Sequence, residues 1–410
     1  MSAVGFALRP LPPWIRAANQ LAKWTGAGAG LLTPERLMAD AARAAGLPPD
    51  FPPYVAETLA VLCTSLREEA RLHWFGVMNM RTLLVTGLEA LLRVERAFVE
   101  RPELAETPLH SPVIVLGLPR SGTTYLHRLL SAVPEAAPVE FYRHIHPVPR
   151  GRPDLRRARA ELEFVPWRLA SRVYALDSMH LVRPGLPDEC NLGMRLGGRS
   201  MIYWATAPTY TYLRWLLAQD LRESYALYRK VLILHQRAAP GRRLTLKCPH
   251  HLAWLPALAE AIPEAQLVLT HRDPVEAVPS ECKLVLSAHG ISTYDLDWAR
   301  SVEGNALKIH TFSTRAVEFA NGPQGGRLVH VPYRRLVKDP VGLVRDIHAG
   351  VGAEFTDAHA ARIDGFAKEN RQHKHGKNHY TAEQFGLSPA RLAQEYSAYR
   401  ERFKDELARG

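Results

Sequence analysis

Val113 to Leu116 form a short β-branched run, Gly117 and Gly122 bound the loop that follows, and Leu126, Leu129, Leu130 and Val133 then recur near helical spacing. No other stretch constrains the fold as tightly. A strand, a glycine-bounded loop and a helix in succession present backbone N–H groups and a helix N-terminus to an anion. The Gly117…Gly122 interval matches the G-x-x-x-x-G-K-[ST] loop that cradles nucleotide phosphates, but Thr123 stands at the lysine position and the cation, Arg120, comes three residues earlier. The loop suits a nucleotide's 5′ phosphate and lacks the lysine that reaches the terminal phosphates of ATP.

Further apolar runs at Leu244–Leu246, Leu267–Thr270 and Leu328–Val331 alternate with helix-spaced segments near 252–261, 274–287, 297–319 and 340–350. This rhythm predicts an α/β fold: a central parallel sheet with helices on both faces, a three-layer αβα arrangement that is P-loop-like at its first strand. Residues 1–106 read as a largely helical N-terminal region, with apolar residues near helical spacing in Ala42 to Leu47, Tyr54 to Phe75 and Met80 to Val99. The α/β domain is expected over 107–410, with an acceptor-side helical insertion over about 135–240 that includes a helix around Arg214–Gln236.

Two of the strands end in cations. Arg272 closes the run that begins at Leu267, and Ser280 follows eight residues later, about two helical turns on. A guanidinium offers a bidentate fork to phosphate and a hydroxyl adds a neutral donor. Lys247 ends the run Leu244-Thr245-Leu246, where open parallel sheets place their ligands.

Taken in this order, Pro119-Arg120-Ser121-Gly122-Thr123-Thr124, Lys247-Cys248-Pro249-His250 and Arg272…Ser280 resemble the sulfotransferase family, whose donor is 3′-phosphoadenosine 5′-phosphosulfate (PAPS). The resemblance runs in pieces over about residues 111–390. It implies that Arg120, Ser121, Gly122, Thr123 and Thr124 hold the 5′ phosphosulfate and that Arg272 and Ser280 clamp the 3′ phosphate. Lys247 and Arg120 then stabilise charge around the transferred group, and the product is 3′-phosphoadenosine 5′-phosphate (PAP). Lys374, His375 and Gly376, ahead of Phe385-Gly386-Leu387, resemble a basic segment that closes over the donor. The same resemblance offers two general bases, Glu140 and His180. Many relatives carry Trp-Glu just before a Pro-Val-Pro turn, where this chain has Tyr142-Arg143, so the choice between Glu140 and His180 stays open. No metal is expected, since fixed cations take its place.

Composition narrows the rest. Four scattered cysteines without a C-x-x-C pair, the lack of a run of some 20 apolar residues and a proline-bearing start predict a cytoplasmic protein with reduced thiols. A net charge of +11 suits an anionic donor, and equally nucleic acid or an anionic membrane surface. The arginines Arg150, Arg152, Arg156, Arg157 and Arg159 lack interleaved aromatics, so no nucleic-acid partner is expected, while peripheral membrane contact and a homodimer stay open. A small-molecule kinase is the alternative enzyme, disfavoured by Thr123 and the Arg272–Ser280 pair. Trp167, Tyr174, Met179, Met201, Tyr203, Trp204, Tyr210, Tyr212 and Trp215 suggest a greasy hydroxyl acceptor (a lipid, sterol, polyketide or phenol), with ordinary core packing as the alternative.

Overall fold

The alternation of Val113, Ile114, Val115 and Leu116 sends successive side chains to opposite faces of a strand, and both faces are covered. The computed structural model describes residues 10–25, 28, 30–173, 181–370 and 381–409. Five strands form one sheet: β1 (Val113–Gly117), β2 (Ala136–Pro138), β3 (Arg243–Lys247), β4 (Gln266–His271) and β5 (Leu328–Pro332), in the order β2-β3-β1-β4-β5. All pairings are parallel, with Val115 beside Lys247 and Gly117 beside Thr270. The chain leaves β1 toward β2 on one side and β4 toward β5 on the other. Their carboxyl ends therefore flank the crevice where such sheets bind ligands.

Val113, Val115, Val268 and Val331 pack on one face against Leu126, Leu129, Leu336 and Val344. Ile114, Leu116, Leu246 and Leu269 face the other way, into a larger core that also holds Leu84, Leu88 and Leu91 from helix Trp74–Glu100. The N-terminal helices thus share a core with the sheet. The expected helical stretch Tyr54 to Phe75 is two helices, Pro53–Glu68 and Trp74–Glu100, separated where Arg71 takes a positive φ of 47° and Leu72 bridges Thr293. The helix expected around Arg214–Gln236 is likewise two, Tyr210–Ala218 and Arg222–Arg237. Strand β2 carries no alternation to read. It is three residues long and ends in Pro138, tolerated because the strand lies at the sheet edge.

Helix Trp74–Glu100 is long and apolar enough to cross a membrane, but 67% of its most apolar window is buried inside the fold. It also carries a charge there. Glu89 is 2% exposed and is paired with Arg93, Arg150 and Arg159. Two arginines of the 150–159 run, Arg150 and Arg159, are thereby engaged by Glu89, and Arg156 pairs with Asp154. Burial alone would raise the Glu89 carboxyl, but hydrogen bonds and charge from Arg159 and Arg150 outweigh it and bring the value from 4.5 down to about 2. A depressed carboxyl stabilises the fold fully above its unfolded value near 4.5, and that contribution is lost as pH falls through about 2. Glu89→Gln should lower the unfolding free energy at pH 7 by about 2–3 kcal/mol, a figure reduced because the arginines are partly in water. Urea titrations at falling pH should show wild type and variant converging; a gap that stays constant would place the stabilisation elsewhere.

Candidate active site

At the end of β1 the chain turns through Gly117 at φ 149°, Arg120 at φ 69° and Gly122 at φ 88° before helix Thr123–Leu130 starts. The two glycines have steric reasons. A Cβ on Gly117 would lie 2.1 Å from Thr270 Oγ1, and one on Gly122 would lie 2.9 Å from the Tyr333 ring. Arg120 holds a left-handed conformation that is costly for a side-chain-bearing residue, and its carbonyl accepts a hydrogen bond from Arg272 Nη1 at 2.9 Å. Helix Thr123–Leu130 leaves its first-turn N–H groups, those of Thr123 and Thr124 among them, without intrahelical acceptors.

Ser121 corrects one expectation. Its hydroxyl donates to Leu118 O at 2.6 Å and lies 2.6 Å from Thr270 Oγ1, which donates to Leu116 O at 3.1 Å; its N–H donates to Leu118 O. The residue is fully buried and its side chain shapes the loop from inside, whereas the expectation placed it on the 5′ phosphosulfate. The structure also joins the loop to the second motif. Arg120 Nε donates to Ser280 Oγ at 3.1 Å, and Ser280 lies on helix Pro274–Ser292 directly after β4. Arg272 stacks its guanidinium 4.6 Å from the Tyr333 ring centre and pairs with Glu276 at 3.2 Å. Lys283, one turn past Ser280, is held below its usual range by burial and by the Arg120 charge, which adds a further cation that sequence reasoning missed.

Lys247 is 1% exposed and donates to Glu189 Oε1 at 2.6 Å. Asn191 Nδ2 lies 3.3 Å from the other carboxylate oxygen and 3.1 Å from His250 Nδ1. Donor atoms of Glu189, Cys248 and His250 converge within 4.8 Å of one another. The Lys247 ammonium already sits on the carboxylate, and burial holds the Cys248 thiol well above its usual range, so hydrogen bonds hold this cluster together. Nothing in the sequence spacing put Glu189 beside Lys247, 58 residues on.

Arg120, Thr123, Thr124, Glu189 and His250 open onto one cavity of about 240 Å³. Its far walls are apolar: Leu83, Phe141, Phe164, Trp167, Leu192 and Val285. Glu140 is not among its lining residues. It precedes helix Phe141–Ile145 and pairs with Arg143 at 3.1 Å, while its neighbour Phe141 faces the cavity. The other base candidate, His180, and the segment Lys374, His375 and Gly376 lie outside the described residues. Of the aromatics expected around an acceptor, Trp167 lines the cavity, whereas Met201, Tyr203, Trp204, Tyr210 and Tyr212 are core, all 3% exposed or less. Tyr174 and Met179 lie outside the described residues.

A parallel αβα sheet thus carries the Gly117–Gly122 loop at the carboxyl end of β1 and the buried Lys247–Glu189 pair at the end of β3, beside it. The sequence pattern of the Sulfotransferase family matches residues 112–357, and the chain belongs to that family. In structure it is similar to sulfotransferase STF9 from Mycobacterium avium, at 24% identity and TM-score 0.80 over 91% of this chain and 97% of that one. It is also similar to sulfotransferase STF1 from Mycobacterium tuberculosis, at 26% identity and TM-score 0.73 over 88% and 98%. No curated protein matches it by sequence. Sulfotransferase activity is the reading that family and fold support, in preference to a kinase.

The buried pair itself can be tested. Lys247→Met leaves the Glu189 carboxylate without its cation and should cost about 3 kcal/mol in urea unfolding. Adding Glu189→Gln should restore part of that loss, because no unpaired charge then remains buried. Additive losses in the double variant would show that the two residues do not act as a pair.

Proposed function

We propose that this sulfotransferase moves the sulfuryl group of PAPS to a hydroxyl on an apolar small molecule or lipid, by in-line displacement. The observation that carries the reading is that Arg120 and Thr124 of the phosphate loop, the carboxylate of the Lys247–Glu189 pair and a greasy chamber share one cavity. PAPS supplies an activated sulfuryl group and an anionic leaving group. The residues present fit it: first-turn amides at Thr123 and Thr124, Arg120 at the loop, and Arg272 with the nearby Ser280 for a second phosphate.

In this reading the Lys247 ammonium neutralises charge gathering on the bridging oxygen as the S–O bond breaks. Glu189 takes the proton of the acceptor hydroxyl as its oxygen bonds to sulfur. Asn191 orients that carboxylate. Proton uptake by Glu189 leaves the Lys247 charge uncompensated, so the cation becomes available to the leaving group as the acceptor gives up its proton. Glu140, the other described base candidate, pairs with Arg143 at 3.1 Å, and Glu189 is favoured over it because its carboxylate opens onto the cavity. The apolar walls exclude water, which would otherwise compete as acceptor.

Isothermal titration without magnesium should show PAP binding in preference to adenosine 5′-phosphate, ADP and ATP; equal affinities would remove the donor assignment. Arg272→Ala should weaken PAP by about 2–3 kcal/mol, some hundredfold, through loss of a charge-assisted contact. Glu189→Gln should abolish most turnover on hydroxylated acceptors while PAP affinity holds, and unchanged turnover would clear Glu189 of the role of base.

A further inference from the structure

Helix Arg156–Val173 has two apolar faces. Phe164 and Trp167 turn into the cavity, while Leu155 at its start, Leu162 and Leu169 recur every seven residues on the opposite side and are 63%, 75% and 43% exposed. Helix Pro13–Thr25 repeats the pattern. Ile15, Asn19 and Ala22 are its buried face, and Trp14, Leu21 and Trp24 form an outward stripe that is 47%, 60% and 77% exposed. The two helices flank one small core, in which Ile15 joins Phe75, Ala170 and Ile291. Asn19 Oδ1 accepts from Phe75 N at 3.2 Å, and Tyr294, itself exposed, rests its hydroxyl 3.5 Å from Asn19 O. Among the described residues ten large hydrophobic side chains are exposed, and six of them lie on these two stripes. Singly scattered apolar residues need no explanation, but a stripe on each of two helices that share one small core does.

We propose that this face docks on an anionic membrane and that the wall helix Arg156–Val173 carries the cavity to the lipid surface, from which the acceptor is drawn. Charge decides the occupant. Helix Pro13–Thr25 bears the exposed Arg16 and Lys23 and no acidic residue, and Arg152 and Arg157 are exposed near the start of helix Arg156–Val173. A second copy of the chain would bring these cations against their own kind, whereas anionic headgroups complement them. Tryptophan and leucine on a face flanked by lysine and arginine are the composition of helices that lie in the membrane interface. The docking rests on these two helices alone; only its link to the acceptor rests on the function proposed above.

The test is co-sedimentation of the full chain with vesicles of phosphatidylcholine alone and of phosphatidylcholine with phosphatidylglycerol, at low and high salt. The chain should partition to the phosphatidylglycerol vesicles and lose affinity as salt rises. The triple changes Trp14→Ser, Leu21→Ser, Trp24→Ser and Leu155→Ser, Leu162→Ser, Leu169→Ser should each cut partition by about tenfold or more. Both should keep wild-type PAP affinity, since these side chains do not touch the donor loop, and the leucine variant should keep the wild-type melting temperature. Trp14 meets the core residue Phe75 edge-on at 6.3 Å, so the tryptophan variant is compared at a temperature where PAP titration shows it folded. They lie on different helices, so misfolding of one leaves the other to decide. Absence of partition, triple variants that partition like wild type, or a concentration-dependent dimer that both triple changes dissolve would overturn the proposal. PAP titration in the same samples separates the two readings, because a chain that docks without binding PAP fails only as a PAPS enzyme.

Discussion

The site depends on a stitch of two hydroxyls between neighbouring strands. Thr270 at the end of β4 reaches Leu116 of β1 and Ser121 of the loop, and Ser121 closes back on Leu118. These contacts are buried, so water does not compete for them and they hold at close to their full strength. They fix the loop in a conformation that Arg120 would not choose alone, and the Arg272 guanidinium on the Arg120 carbonyl holds the same residue from the other side. With Ser121 occupied inside, the amides at the start of helix Thr123–Leu130 face the crevice, and Arg120 is left to span from the loop to Ser280.

The architecture was legible because each of its signals is local. Four of the five strands are short β-branched or leucine runs whose side chains meet core on both faces, so the runs stand out without alternation. The loop announced itself through two glycines at fixed spacing, and both prove to be positions where a Cβ would collide. Strand β2 did not show, since three edge residues ending in proline carry too little pattern.

The chemistry was less legible, because it is assembled from residues far apart in sequence. Arg120, Lys247, Arg272 and Ser280 stood out because each follows a strand end or lies on the helix after one, and the structure joins Arg120 to Ser280 and Arg272 to the Arg120 carbonyl. The Lys247–Glu189 pair could not be read at all, because Lys247 reaches Glu189 from the end of β3, 58 residues on in the chain. The apolar wealth from Trp167 to Trp215 left two readings open for a related reason: burial in a core and lining of a cavity leave the same composition, and only the fold sends Trp167 to the cavity and Tyr203, Trp204 and Tyr212 to the core.

Tyr333, at the start of the helix after β5, has a consequence of a different kind. Its ring touches Gly122 closely enough to forbid a Cβ there, and the same ring carries the Arg272 guanidinium at 4.6 Å. One rigid aromatic plate therefore stands between the glycine of the phosphate loop and the arginine at the end of β4. Plates do not stretch. Under the PAPS reading proposed above, the ring works as a gauge block between the Gly122 loop and Arg272, so the site sorts its ligands by length as well as by charge.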